Sequence, residues 1–295
     1  MPRIAGSGKL VQFGGQAARP RETSVLGGSV TAVTISYDSF PELTPMKRHS
    51  LALICMLGSF LSYAQEPQPP HWSYEGATGP AHWGDLNADY SICKTGKEQS
   101  PINIGHTVAE KLPPIDFHYL PSPLKLIDNG HTVQVNYAPG SSITVAGKKY
   151  ELVQFHYHHP SEEAVHGKHY DLVIHLVHKD AEGHLAVVAV LFKQGASDAA
   201  VKAVVDHLPS QKEQETTVDT TIDATSLLPQ TRSYYTFGGS LTIPPCTEGV
   251  TWFVLQTPST LSSEELATLA KLYPHNARPL QPLNDRTVRA SAGLR

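Results

Sequence analysis

The sequence predicts a mostly β (α+β) fold: a single domain on a large twisted, predominantly antiparallel central sheet, with a few peripheral helices. Three observations point there. Between about residues 115 and 195 the chain passes through five segments rich in β-branched and aromatic residues, each bounded by Gly, Pro, Asn or Asp. Helical periodicity is confined to two later stretches. Residues 65–295 show neither an internal repeat nor a compositional break at which a second domain would begin.

The amino-terminal elements read as processing signals rather than fold. Residues 1–45 hold Gly, Ser and Arg without periodicity, and Met46 stands directly before a signal-like segment. The expectation is that 1–45 is a spurious upstream extension and that translation starts at Met46. Residues 46–64 have the layout of a secretory signal peptide: Lys47 and Arg48, an apolar run from Leu51 to Leu61, then Ser62-Tyr63-Ala64 with small residues at −3 and −1. The run is well short of the ~20 residues that a membrane span needs. Cleavage near Ala64 and export to a periplasmic or secreted location are expected. Residues 65–70, "QEPQPP", are a Pro-rich leader, and the folded domain is expected over 71–295.

That domain opens with "HWSYEGATGPAHWGDL", read as irregular structure pinned by Trp72, Tyr74 and Trp83. The strand segments follow as "HTVQVNY", "SSITVAG", "KKYELVQFHYHH", "HYDLVIHLVHK" and "HLAVVAVLF", with "KDAEGH" as a hairpin connection between the last two. Ser197 is expected to cap a helix whose apolar positions Val201, Val204, Val205 and Leu208 repeat at helical spacing before Pro209. Ser262 and Glu265 form a capping box opening "SSEELATLAKLY", which Pro274 ends.

Composition narrows the function classes. Hydrophobic residues are 40% and charged residues 17%, enough to bury a core, and the formal net charge is −4. With no basic patch, neither nucleic acid nor an anionic membrane surface is an expected partner. Of the three cysteines, Cys55 falls inside the signal, which leaves Cys93 and Cys246. Two thiols in an exported chain are expected to form one disulfide, the alternative being two free buried thiols.

Seven histidines crowd residues 154–180. Side chains two apart in a strand share a face, so Gln154, His156 and His158 point one way and Phe155, Tyr157 and His159 the other. A third ligand would come from the next strand, which offers His169, His175 and His178. His175 shares its face with Val173 and Val177, and His178 has the opposite parity. Three imidazoles with an open fourth vertex are the arrangement of catalytic zinc, whereas structural zinc sites usually close with four protein ligands. From the residues alone two other readings stay open: core histidines satisfied by hydrogen bonds, and a histidine-rich buffer for several weakly held metal ions.

"HWSYEG", "GPAHWGDL", "QSPINI", "NGHTVQV", "QFHYHHPSEE", "HLVHKD", "YYTFGGSLTIPPCTEGVTWFVL" and "NARPLQPLNDR" together resemble the alpha-class carbonic anhydrases of the bacterial exported branch, over essentially all of 71–291. The resemblance implies zinc on His156, His158 and His175. It implies reversible hydration of carbon dioxide to bicarbonate and a proton, through attack by zinc-bound hydroxide: a lyase with a weak esterase side activity. It makes Thr242 and Glu162 the pair that orients the hydroxide, His131 the proton shuttle, and Tyr74 a residue that orders the intervening water. Val177, Val187, Leu241 and Trp252 would line the carbon dioxide pocket. Gln154 and the backbone of Asn276 would hold the outer nitrogens of His156 and His158. Anions and sulfonamides would bind at the open metal position, and a homodimer is left open. A non-catalytic binding module on the same fold is the rival reading, and the presence of all three ligands argues against it.

Two positions depart from the pattern. Where the family often has a glutamate two residues before the third ligand, this chain has Val173, which cannot accept a hydrogen bond; weaker metal retention is expected unless water or another carbonyl substitutes. Ile243 follows Thr242 where a hydroxyl residue is common.

Overall fold

The computed structural model describes residues 71–291. The extension expected over 1–45, the signal over 46–64 and the leader over 65–70 lie outside the described residues. Each β-rich segment forms a strand: Val133–Asn136, Ser142–Val145, Lys148–His158, Leu172–Lys179 and Leu185–Gln194. "KDAEGH" closes an antiparallel hairpin in which Lys179 faces Leu185.

These strands belong to a thirteen-stranded sheet. Its main path runs Thr216–Ile222, Ser122–Asp128, Val133–Asn136, Lys148–His158, Leu172–Lys179, Leu185–Gln194, Glu248–Leu255, Tyr234–Ser240, Arg289–Ser291, Val108–Glu110. Along this path the pairing is antiparallel except at two places. Leu185–Gln194 runs parallel to Glu248–Leu255, and Arg289–Ser291 runs parallel to Val108–Glu110.

Alternation sends the two faces of the sheet into separate cores. Ile174 and Leu176 join Leu124, Leu126, Val135, Phe155 and Tyr157 in one apolar cluster, covered by Val201 and Val204 of the helix Ala199–Asp206 and Leu269 of the helix Ser263–Leu272. Val173 joins Val187, Ala189, Leu191, Phe237 and Trp252 on the opposite face. The strand Lys148–His158 changes phase on the way. Its pairing with the next strand jumps from Val177–Gln154 to His178–Leu152, so Val153 opposes no residue there. This one-residue bulge puts Tyr150 and Leu152 in the same core as Phe155 and Tyr157 despite their different parity. Beyond it, Gln154, His156 and His158 face the other side.

The helix expected to be capped by Ser197 starts one residue later. Asp198 is extended, and its carboxylate accepts from the N–H groups of Ala200 and Val201. The Ser197 hydroxyl instead donates to Glu265. A short carboxylate next to the first turn accepts two donors at once and complements the helix dipole, which decides the cap. The Ser262–Glu265 capping box forms as expected. The opening segment holds more order than expected: Gly76–Thr78 is a 3-10 turn and Trp83–Leu86 a short helix. Trp83 is fully buried, and its indole N–H donates to the carbonyls of Ser73 and Thr78. Cys93 and Cys246 form a disulfide inside this aromatic cluster. No helix among the described residues is long and apolar enough to cross a membrane.

Candidate metal centre

Just past the bulge, His156 and His158 project from one face of Lys148–His158, and register places His175 directly opposite His156. Ring centroids are 5.0 Å apart for His156–His158, 5.5 Å for His156–His175 and 4.8 Å for His158–His175. One ring nitrogen from each of the three lies within 4.8 Å of the others. The second nitrogen of each ring is tied to an oxygen. His156 Nδ1 donates to Gln154 Oε1 at 2.8 Å, and His158 Nδ1 donates to the Asn276 carbonyl at 2.6 Å. His175 Nε2 donates to Glu163 Oε1 at 3.2 Å. Because these oxygens accept, the hydrogens sit on the outer nitrogens. Nε2 of His156, Nε2 of His158 and Nδ1 of His175 are left with free lone pairs. His158 Nε2 is buried without any hydrogen-bond partner, a costly state that a cation would relieve. The donor set therefore fits a three-imidazole metal.

Electrostatics agree. Burial, then the neighbouring His175, push His156 down to about 3. Burial and the two adjacent rings hold His158 well below the usual imidazole range. Both rings are thus neutral ligands. Burial lowers His175 too, but the charge and hydrogen bond of Glu163, with the charge of Glu162, outweigh it and leave the net shift upward. Glu162 is fully buried, and burial pushes its carboxyl up to about 7. Its Oε1 accepts from the Arg278 N–H at 2.8 Å. Its Oε2 lies 3.4 Å from His158 Nε2 and 3.8 Å from His175 Nδ1, with no hydrogen bond of normal geometry. The Thr242 hydroxyl also acts on this carboxyl and lowers its pKa.

A cavity of about 50 Å³ opens beside the triad, lined by Tyr74, His131, Gln154, His156, His158 and Ile243 among others. The four apolar residues expected at the substrate pocket belong to one cluster. Val187 and Trp252 are buried in one cluster, with Val177 and Leu241 partly buried against it. The Trp252 ring meets His175 edge-on at 4.9 Å. Three of the remaining histidines of the crowded stretch have other partners. His159 Nδ1 donates to the Pro274 carbonyl, His169 Nδ1 to the Ser161 carbonyl, and His178 bonds Tyr119 in the opposite core.

A family model, "Eukaryotic-type carbonic anhydrase", matches residues 78–292. The chain belongs to the carbonic anhydrase family. It is 49% identical over 221 residues to the carbonic anhydrase of Klebsiella pneumoniae, covering 74% of this chain and 90% of that relative. It is 41% identical over 259 residues to the carbonic anhydrase of a Nostoc species, covering 83% of this chain and 97% of the other. Among solved structures, the alpha-carbonic anhydrase of Thermovibrio ammonificans in complex with the inhibitor sulfanilamide superposes with a TM-score of 0.72 at 42% identity, over 74% of this chain and 98% of that one. The enzyme class is therefore a lyase, and the reaction of the family is hydration of carbon dioxide.

Within this carbonic anhydrase the structure corrects one expectation and adds residues that the sequence left unassigned. Val173 does leave the strand without an acceptor, yet His175 does not lack one, because the fully buried Glu163 fills the place from another segment. The doubled acid in "SEE" was the available signal. Arg278 is also buried. Its guanidinium donates to Gln99 Oε1 and to the carbonyls of Ser100 and Cys93, while its backbone holds Glu162. Asn276 does more than offer its carbonyl to His158. Its Oδ1 accepts from the His159 N–H, and its Nδ2 donates to the carbonyls of His131 and Tyr157. A second group of potential ligands, Asp180, Glu182 and His184, is a turn already satisfied internally: Asp180 binds Lys148, His184 and two backbone N–H groups.

Proposed function

We propose that this enzyme hydrates carbon dioxide reversibly with one zinc ion held by His156, His158 and His175, and that His131 carries the released proton away. The observation that supports the reading most directly is the convergence of one ring nitrogen from each of three imidazoles whose outer nitrogens are all tied down. Zinc in a three-histidine site lowers the pKa of bound water to about 7, a value established for carbonic anhydrase itself and adopted rather than derived.

The chain's own residues do the rest. Gln154 and the Asn276 carbonyl fix the rings of His156 and His158. Thr242 accepts a hydrogen bond from the attacking water and donates its own proton to Glu162, whose carboxyl the Arg278 N–H and the Thr242 hydroxyl draw toward the ionised form that only accepts; this sequence of donors turns a lone pair toward the substrate carbon. Carbon dioxide, uncharged and apolar, is received by Val177, Val187, Leu241 and Trp252. Tyr74, on the same cavity as His131, His156 and His158, orders water between them. His131 is partly buried, and its pKa is lowered first by that burial and then by His71, so it is neutral at pH 7 and ready to accept a proton.

Sulfonamides and small anions are expected to compete at the open vertex, as sulfanilamide binds the Thermovibrio relative. A weak esterase activity toward activated esters follows from the same nucleophile. The signal-like segment 46–64 and the Cys93–Cys246 bond together support export. Stopped-flow hydration of carbon dioxide with measured zinc content tests the reading. Zinc-dependent turnover, lost in His175→Ala, is expected; a zinc-loaded chain without turnover, or several weak ions per chain, would overturn it.

A further inference from the structure

We propose that Glu163 is the positioning residue for His175, supplying from the segment after Pro160 the acceptor that Val173 cannot supply from the ligand's own strand. The inference rests on the zinc reading above and concerns how that site is held. Both Glu163 carboxylate oxygens face His175 Nε2, at 3.2 and 3.4 Å, and among the described residues this carboxylate has no other hydrogen-bond partner. It is fully buried, as is Val173 in its apolar cluster. A carboxylate withdrawn from water and aimed at a single donor has its energetic justification in that donor.

Geometry fixes what the contact does. Glu163 lies at Nε2 while its chain neighbour Glu162 lies 3.8 Å from Nδ1, so two consecutive carboxylates bracket one imidazole across its two nitrogens. With Nε2 committed as donor, the lone pair of His175 is on Nδ1, toward His156 and His158. The three rings also have unequal partners: an amide oxygen behind His156, a backbone carbonyl behind His158 and an anionic carboxylate behind His175. An anionic partner makes its imidazole the most basic ligand of the three.

The test compares zinc release to a chelator from the full zinc-loaded protein and from Glu163→Leu, Glu163→Gln and the double variant Glu163→Leu/Val173→Glu. Glu163→Leu is expected to release zinc about 10- to 100-fold faster. Glu163→Gln keeps an acceptor oxygen and should recover most of the loss; the double variant should recover it from the strand side. Independently, nitrogen-15 imidazole shifts of the metal-free wild type should show His175 protonated on Nε2, a readout needing no variant to fold. A folded Glu163→Leu with zinc release within twofold of wild type, or His175 protonated on Nδ1 but not on Nε2 in the metal-free wild type, would overturn the assignment. A wild type that takes up no stoichiometric zinc would instead sink the zinc reading, and the tautomer would still decide the role of Glu163.

Discussion

The imidazole of His131 lies flat on the indole of Trp72, with ring centroids 3.6 Å apart and planes 8° from parallel. His71 stacks at 6.0 Å from the same imidazole. Burial, then the positive fields of His71 and Lys212, keep the His131 pKa below its ordinary value. Replacing His131 by Ala should cut turnover by about 100-fold or more in dilute buffer, with recovery on adding free imidazole. Trp72→Ala should uncover the ring and raise its pKa toward 6.5, visible in a proton NMR titration. An unchanged pKa would mean that Trp72 does not set it.

Acid should destabilise the metal-free protein through its buried neutral histidines. His178, hydrogen-bonded to Tyr119 at 2.9 Å, is pushed down to about 3 by burial. Between the unfolded value near 6.5 and that folded value the unfolded chain binds more protons, so stability rises with pH and is lost as pH falls through this window. The slope is up to about 1.4 kcal/mol per pH unit for each such histidine. Urea unfolding from pH 7 to 4 should be less pH-dependent in His178→Gln by up to one proton.

Zinc should stabilise the fold by mass action, by about 2.7 kcal/mol at a free concentration 100 times its dissociation constant. His175→Ala removes one of three lone pairs and should abolish most of the shift. Calorimetric melting with and without zinc checks this; an equal zinc-induced shift in the variant would place the ion elsewhere.

The disulfide spans 153 residues and joins the aromatic opening segment to the loop that follows Thr242. Cys93→Ser/Cys246→Ser should lower stability by at most about 5 kcal/mol, the chain-entropy limit for so long a loop. Amide exchange over 242–246 should quicken at the same time. An unchanged denaturation midpoint would show that the native contacts alone hold this loop.

Gly239 is needed for close approach. A Cβ there would lie 2.8 Å from the Trp252 indole and against the Ser100 hydroxyl. Gly239→Ala should therefore cost about 1–3 kcal/mol and tilt the Trp252 ring that abuts His175, shifting tryptophan fluorescence as well as the unfolding midpoint.

Alternation in the residues after Gln154 made the candidate metal face legible, because a strand offers two sides and Phe155 and Tyr157 claim one. The β-rich punctuation likewise announced the sheet and its hairpin. What escaped depends on the third dimension. Val153 is an ordinary strand residue by composition, and the bulge it forms appears only in its pairing. Ser197 and Asp198 are both good caps in isolation; Asp198 takes the two helix N–H groups while the Ser197 hydroxyl goes to Glu265, a partner that only the fold brings near. Glu163 is far in register from Val173, and only the folded path after Pro160 brings its carboxylate to His175.

Asn276 spends every polar group it has: the peptide N–H and side-chain oxygen on the backbone of His159, the carbonyl on the His158 ring, and the amide hydrogens on the carbonyls of His131 and Tyr157. One residue near the carboxyl end is thereby a shared datum for the ring of His158 and the backbone of His131. If His158 holds the ion and His131 takes the proton, as proposed, a single tether sets both ends of that transfer, and Asn276→Ala would loosen the two together.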